Sequence, residues 1–88
     1  MVRRRLVIHC RVQGVFFRDT LRRAAEEAGV AGWARNTSAG TVEVVLEGDT
    51  DAVERVVAFA HRGPEGASVE RVETSDEDPE GLTGFAIK

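Results

Sequence analysis

The chain has 88 residues, 42% of them hydrophobic and 31% charged, with a formal net charge of −3; this fits one domain over 1–88 with a single core and argues against broad nucleic-acid binding. No apolar run approaches the ~18 residues of a membrane-spanning helix, and the arginine-rich start lacks the apolar stretch of a signal peptide. One cysteine and two histidines exclude an internal disulfide framework, fall short of a zinc site, and suit a reducing, cytoplasmic compartment.

In chain order, a strand is predicted from about Arg5 to Val12. Leu6, Ile8, Cys10 and Val12 alternate toward one face, with Val7, His9 and Arg11 on the other. A helix follows over about Asp19 to Ala28, because Phe17, Leu21, Ala24/Ala25 and Ala28 recur at three-to-four-residue spacing; Gly29 stops it. Gly32 to Thr37 reads as a second strand, Thr37-Ser38-Ala39-Gly40 as a turn, and Thr41 to Glu47 as a third strand with Val42, Val44 and Leu46 facing inward.

The run Gly48-Asp49-Thr50-Asp51 offers several N-caps, with Glu54 three residues after Asp51 in capping-box spacing. The second helix carries Val53, Val56, Val57 and Ala60 on one stripe and ends near His61 to Gly63. Pro64-Glu65-Gly66 is a loop. A fourth strand covers about Ser68 to Thr74, where the three-residue spacing of Val69 and Val72 predicts a bulge or irregular pairing. The acidic stretch Asp76 to Glu80 reads as a solvated turn, and Phe85 and Ile87 alternate in a short terminal strand. The order β-α-β-β-α-β predicts an α+β, ferredoxin-like split βαβ fold: a mostly antiparallel sheet, strands one and three central, with two helices on one face. This fold hosts unrelated functions, so function must be argued from the site.

Charge is uneven. Residues 1–35 carry eight arginines against three acids, and residues 36–88 carry four bases against twelve acids. A positive field around the first segment would draw in a small anion, although strand ends and helix faces are often simply rich in arginine. Within that segment, Gly14 lies between an apolar strand and a helix start, with Arg18 four residues on. Backbone N–H groups converge at such a junction, the helix dipole favours negative charge, and an arginine supplies a planar, permanently charged fork for phosphate or carboxylate oxygens. Asn36, at a strand end before a turn, has both a donor and an acceptor with which to hold a water molecule. Turn glycines, surface arginines and pre-turn asparagines are also ordinary structural residues, so residue type alone leaves each reading open.

The run Arg11-Val12-Gln13-Gly14-Val15-Phe16-Phe17-Arg18 resembles the first signature of the acylphosphatases. Gly32-Trp33-Ala34-Arg35-Asn36, followed by Gly40, Val42 and Gly48, resembles the second. The likeness extends through Gly63-Pro64, Val69, Val72 and the terminal Phe85-x-Ile87. One position departs from it: the family usually has glycine where this chain has Cys10. The resemblance implies hydrolysis of carboxyl-phosphate mixed anhydrides to a carboxylate and inorganic phosphate, with no cofactor, no metal and no phosphoenzyme. It implies phosphate binding by Arg18 with the backbone N–H groups of Gln13, Gly14, Val15, Phe16, Phe17 and Arg18, and water positioning by Asn36. The implied partners are a small acyl phosphate and inorganic phosphate as product and inhibitor, for a monomer that binds neither nucleic acid nor membrane. Two other readings fit the same fold. One is a module that binds phosphate or carboxylate without turnover. The other is a small RNA-binding domain, which needs exposed aromatics on strands one and three; Thr41 to Glu47 has none.

Overall fold

The computed structural model describes residues 1–10, 15–63 and 68–88. The predicted strand end at Arg11 and Val12, the predicted phosphate-loop residues Gln13 and Gly14, and the Pro64-Glu65-Gly66 loop lie outside the described residues. The elements are β1 (Val2–Cys10), α1 (Val15–Ala28), β2 (Ala31–Asn36), β3 (Val42–Gly48), α2 (Thr50–Arg62), β4 (Val69–Glu77) and β5 (Phe85–Ile87). They build one sheet in the order β4-β1-β3-β2-β5. Its pairings are antiparallel except β2–β5, which is parallel. This is the expected ferredoxin-like arrangement, with β5 added at the β2 edge.

The period-two pattern sets which sheet face is covered. Leu6, Ile8 and Cys10 of β1 and Val42, Val44 and Leu46 of β3 are buried against Phe17, Leu21 and Ala25 of α1 and the Val53–Ala60 stripe of α2. Helix α1 closes on Gly29, whose φ of +73° suits glycine. The Gly29 N–H donates to Glu26 O at 3.1 Å and the Val30 N–H to Ala25 O at 2.8 Å. That pair of bonds is the Schellman arrangement, and it sends the chain directly into β2.

Several boundaries differ from the sequence reading, each for a tertiary reason. Helix α1 begins at Val15 rather than Asp19, so Phe17 is a core residue and Arg18 stands in the first turn. Strand β1 begins at Val2 because Val2 to Ile8 pair continuously with Gly48 to Val42 of β3. Asp76 and Glu77 are not a turn: they extend β4, opposite Arg4 and Arg3 of β1. The expected bulge is present, with Arg71 opposite His9 but Val69 opposite Cys10, leaving Glu70 as the extra residue. The capping box is not formed. Asp49 is the N-cap of α2 without a side-chain cap, and Glu54 instead pairs with Arg4 of β1.

A further difference concerns the sheet face opposite the helices. Strand β3 is buried along its whole length, including Glu43 and Glu47 at 5% and 2% exposure. Arg5 of β1 and Arg35 of β2 reach Glu43 from either side. Arg3 of β1 donates to Glu47 at 2.7 Å. Much of the predicted positive field is thus consumed in internal pairs, including Arg3 with Glu77 and Arg4 with Asp76. The central strand presents charged clusters rather than the aromatic platform an RNA-binding sheet uses.

Candidate active site

One end of the sheet gathers the predicted site. Asn36 of β2 lies opposite Val42 of β3, Val42 opposite Ile8 of β1, and Ile8 opposite Val72 of β4. From the same end, β1 leaves the sheet at Cys10 and the chain re-enters description at the first residue of α1. Asn36 shares the helix-side parity of the buried Ala34 but is itself exposed, because β2 runs past the core there.

The first turn of α1 brings the backbone N–H groups of Val15, Phe16, Phe17 and Arg18 to this end. These are the helix donors that have no intrahelical acceptor, and the dipole adds positive potential beside them. The first turn carries no acidic side chain. Asp19, next in sequence, is engaged by Arg22 and by Arg23 at 3.1 Å. Phe17 is 2% exposed and fills the core, so its contribution to an anion site is its N–H alone.

Arg18 reaches across to the end of the chain. Its Nη1 lies 3.5 Å from the carbonyl oxygen of Lys88. Lys88 N–H in turn donates to Ala34 O at 2.9 Å, two residues before Asn36. Contacts of residues 70 apart thus bring the guanidinium to the Asn36 end of β2. Among the described residues the Arg18 Nε–H is buried with no acceptor, and no Asp or Glu side chain pairs with the guanidinium. The Asn36 side chain has no hydrogen-bond partner among the described residues either. Among the described residues the site therefore combines unpaired donors with an unpaired amide.

The turn after Asn36 is closed by hydroxyls. Thr37 Oγ1 and Thr41 Oγ1 are 2.7 Å apart, and the Thr37 N–H donates to Thr41 O at 2.9 Å. Gly40 takes a φ of +83° there, conformationally costly for other residues. Cys10 is buried at 8% exposure beside the site. Burial, helped by the charge of Glu70, pushes its thiol above the ordinary range, so it is a core side chain rather than an activated nucleophile.

The two buried glutamates were not singled out by the sequence reading. Burial alone would raise the Glu47 carboxyl. The N–H groups of Glu80, Gly81 and Leu82 and the Arg3 guanidinium outweigh burial and lower it to about 2. Glu43 is likewise held below the usual carboxylate range, the bonds from Arg35 and Arg5 overcoming its burial. The available signal was acids at two same-face positions of an otherwise apolar strand, Val42-Glu43-Val44-Val45-Leu46-Glu47, with arginines two apart at 3 and 5.

Comparison with known proteins supplies the family. The acylphosphatase family model matches residues 4–87. An acylphosphatase of Thermococcus kodakarensis is 52% identical over 86 residues, covering 98% of this chain and 94% of that protein. One of Haloarcula marismortui is 50% identical over 78 residues, covering 89% and 86%. The crystal structure of acylphosphatase from Bacillus subtilis superposes with a TM-score of 0.94 at 30% identity, covering 100% of this chain and 99% of that one. The chain belongs to the acylphosphatase family.

Proposed function

We infer that this protein hydrolyses acyl phosphates, and that Arg18 and Asn36 divide the work. The phosphoryl oxygens sit against the Arg18 guanidinium and the N–H groups of the Gln13–Arg18 segment. Asn36 holds a water molecule in line with the phosphorus. The water oxygen forms the new P–O bond as the bond from phosphorus to the acyl oxygen breaks, and the electron pair departs on the carboxylate. Phosphoryl transfer passes through a loose transition state, so positioning and charge stabilisation dominate. A carboxylate is a good leaving group at neutral pH, which removes the need for a strong general acid. The protein acts as a cytoplasmic monomer, and inorganic phosphate, the product, competes for the same donors.

The observation that carries this reading is Arg18: a guanidinium with a buried Nε–H that has no acceptor among the described residues, in the first turn of a helix, at the end of the strand that carries Asn36. The test is hydrolysis of benzoyl phosphate in EDTA, with inorganic phosphate as competitor. Arg18→Ala is expected to lose about 10²–10³-fold in rate, the usual effect of removing one preorganised charge-stabilising group, and to lose phosphate affinity as well. Asn36→Ala is expected to lose turnover while keeping phosphate affinity. Near wild-type hydrolysis by Arg18→Ala would overturn the assignment. Phosphate binding by the wild-type protein without turnover would make it an anion-binding module.

A further inference from the structure

We propose that the two buried carboxylates of β3, Glu43 and Glu47, are positioning residues, Glu43 for Asn36 and Glu47 for Arg18. The proposal rests on the division of roles just given. Both side chains lie on the sheet face away from the helices.

Glu43 acts at the near end of the sheet. It lies directly opposite Arg35 in the β2–β3 register and opposite Val7 in the β1–β3 register. Arg35 Nε donates to its Oε1 at 2.6 Å and Arg5 Nε to its Oε2 at 2.7 Å. One carboxylate thus ties β1, β3 and β2 together one residue before Asn36. Beyond Asn36 the chain turns, so the strand end would fray without a lateral tie. The Thr37–Thr41 bonds close the far side of the same residue.

Glu47 acts at the far end, through β5. That strand is only three residues long, short against the usual five or six. Its C-terminal end is held by the Lys88 N–H on Ala34 O at 2.9 Å and the Lys88 ammonium 4.5 Å from the Trp33 ring centre. Its N-terminal end follows a connector whose N–H groups at Glu80, Gly81 and Leu82 all donate to Glu47, at 2.9, 3.0 and 3.0 Å. Gly84 O then accepts from the Gly32 N–H at 2.9 Å. Glu47 therefore sets where β5 starts, and β5 delivers the Lys88 carbonyl that Arg18 meets.

The two arms predict opposite signatures. Glu43→Gln keeps the shape and removes the charge that draws in two guanidiniums. It should lower kcat about tenfold, a modest share of what a 1 Å misplacement of a reacting group can cost, with the phosphate inhibition constant unchanged. Glu47→Gln should instead weaken phosphate inhibition about twofold, as much as the long Arg18–Lys88 contact can transmit. Native-state hydrogen exchange supplies a readout independent of activity. Exchange at the Thr37 amide should accelerate in Glu43→Gln and not in Glu47→Gln, and exchange at the Lys88 amide should do the reverse. Should either glutamine variant fail to fold, Glu43→Asp and Glu47→Asp keep the charge, withdraw the carboxylate by one methylene, and should show the same pattern more weakly.

A purely structural role would accelerate both amides alike in each variant and leave the phosphate constant of folded Glu47→Gln untouched; either result overturns the proposal. Arg18→Ala and Asn36→Ala are measured in parallel. If those two do not separate phosphate affinity from turnover, the division of roles falls and takes the proposal with it. If they separate and the glutamate variants do not, the proposal alone falls.

Discussion

Replacing Arg18 by methionine should abolish most activity while leaving the free protein as stable as before or more so. Methionine keeps an unbranched stem, so little packing is lost, whereas all five donors disappear. In the free protein those donors contribute little to folding. The one described bond, Nη1 to Lys88 O, is 3.5 Å long, at the outer limit of hydrogen bonding and worth at most about 0.5 kcal/mol. Against it stands the buried Nε–H, without an acceptor among the described residues, a desolvation penalty of about 1–3 kcal/mol that the substitution removes. The net expectation is a gain of about 0–2 kcal/mol. For a protein of this length total stability is about 4–13 kcal/mol, so a gain of this size would be visible. Urea unfolding followed by circular dichroism measures it: with an m-value of about 1 kcal/mol/M, the midpoint should move up by about 0–2 M. Repeating the titration with inorganic phosphate separates site from scaffold. Phosphate at about 100 times its dissociation constant should stabilise the wild type by about 2.7 kcal/mol and Arg18→Met hardly at all. A phosphate-free loss of more than about 1 kcal/mol would show instead that Arg18 is a structural residue whose donors are satisfied in the free protein.

Gly32→Ala should be far more damaging than Gly40→Ala. A Cβ on Gly32 would lie 1.8 Å from Val45 O, so β2 must separate from β3; a Cβ on Gly40 meets nothing within 4 Å. Urea midpoints should report more than about 3 kcal/mol lost for Gly32→Ala, the upper end of overpacking costs, and about 1 kcal/mol for Gly40→Ala from its positive φ. Acid unfolding should begin below pH 4.5. The Glu47 carboxyl is lowered from 4.5 to about 2 in the fold, so its contribution is full above 4.5 and declines as pH falls toward 2; Glu47→Gln should flatten that part of the stability–pH curve. The buried Cys10 thiol should react slowly with a chromogenic disulfide reagent in the native protein and rapidly in urea. Cys10→Gly should keep equal or higher activity while losing about 1–2 kcal/mol, and a large fall in hydrolysis would reveal a role for the thiol.

Much of this protein is legible locally. The alternation of Leu6, Ile8 and Cys10, the Val42-Val44-Leu46 stripe, the Val53–Ala60 helical spacing and the Gly29 stop each depend on neighbours within a turn or two, and each element is found where those patterns place it. The Val69–Val72 spacing likewise gave away the bulge at Glu70. Boundaries were less readable where a distant partner sets them. Asp76 and Glu77 look like solvated turn residues until Arg4 and Arg3 stand opposite them, and Val15-Phe16-Phe17-Arg18 looks like loop until Phe17 has a core to enter.

By itself the sequence determined which residue types stand at the strand–helix junction and at the end of β2, and hence which chemistry the chain carries, since periodicity and motif are properties of nearby residues. The tertiary structure alone decided that the candidate site residues come together from across the molecule. Arg18 meets the carbonyl of a residue 70 positions away, and Arg3 meets Glu47 across 44. Strand register and the pairing of buried charges are set by packing between distant segments, where the desolvation of a carboxylate is outweighed only if its donors arrive together.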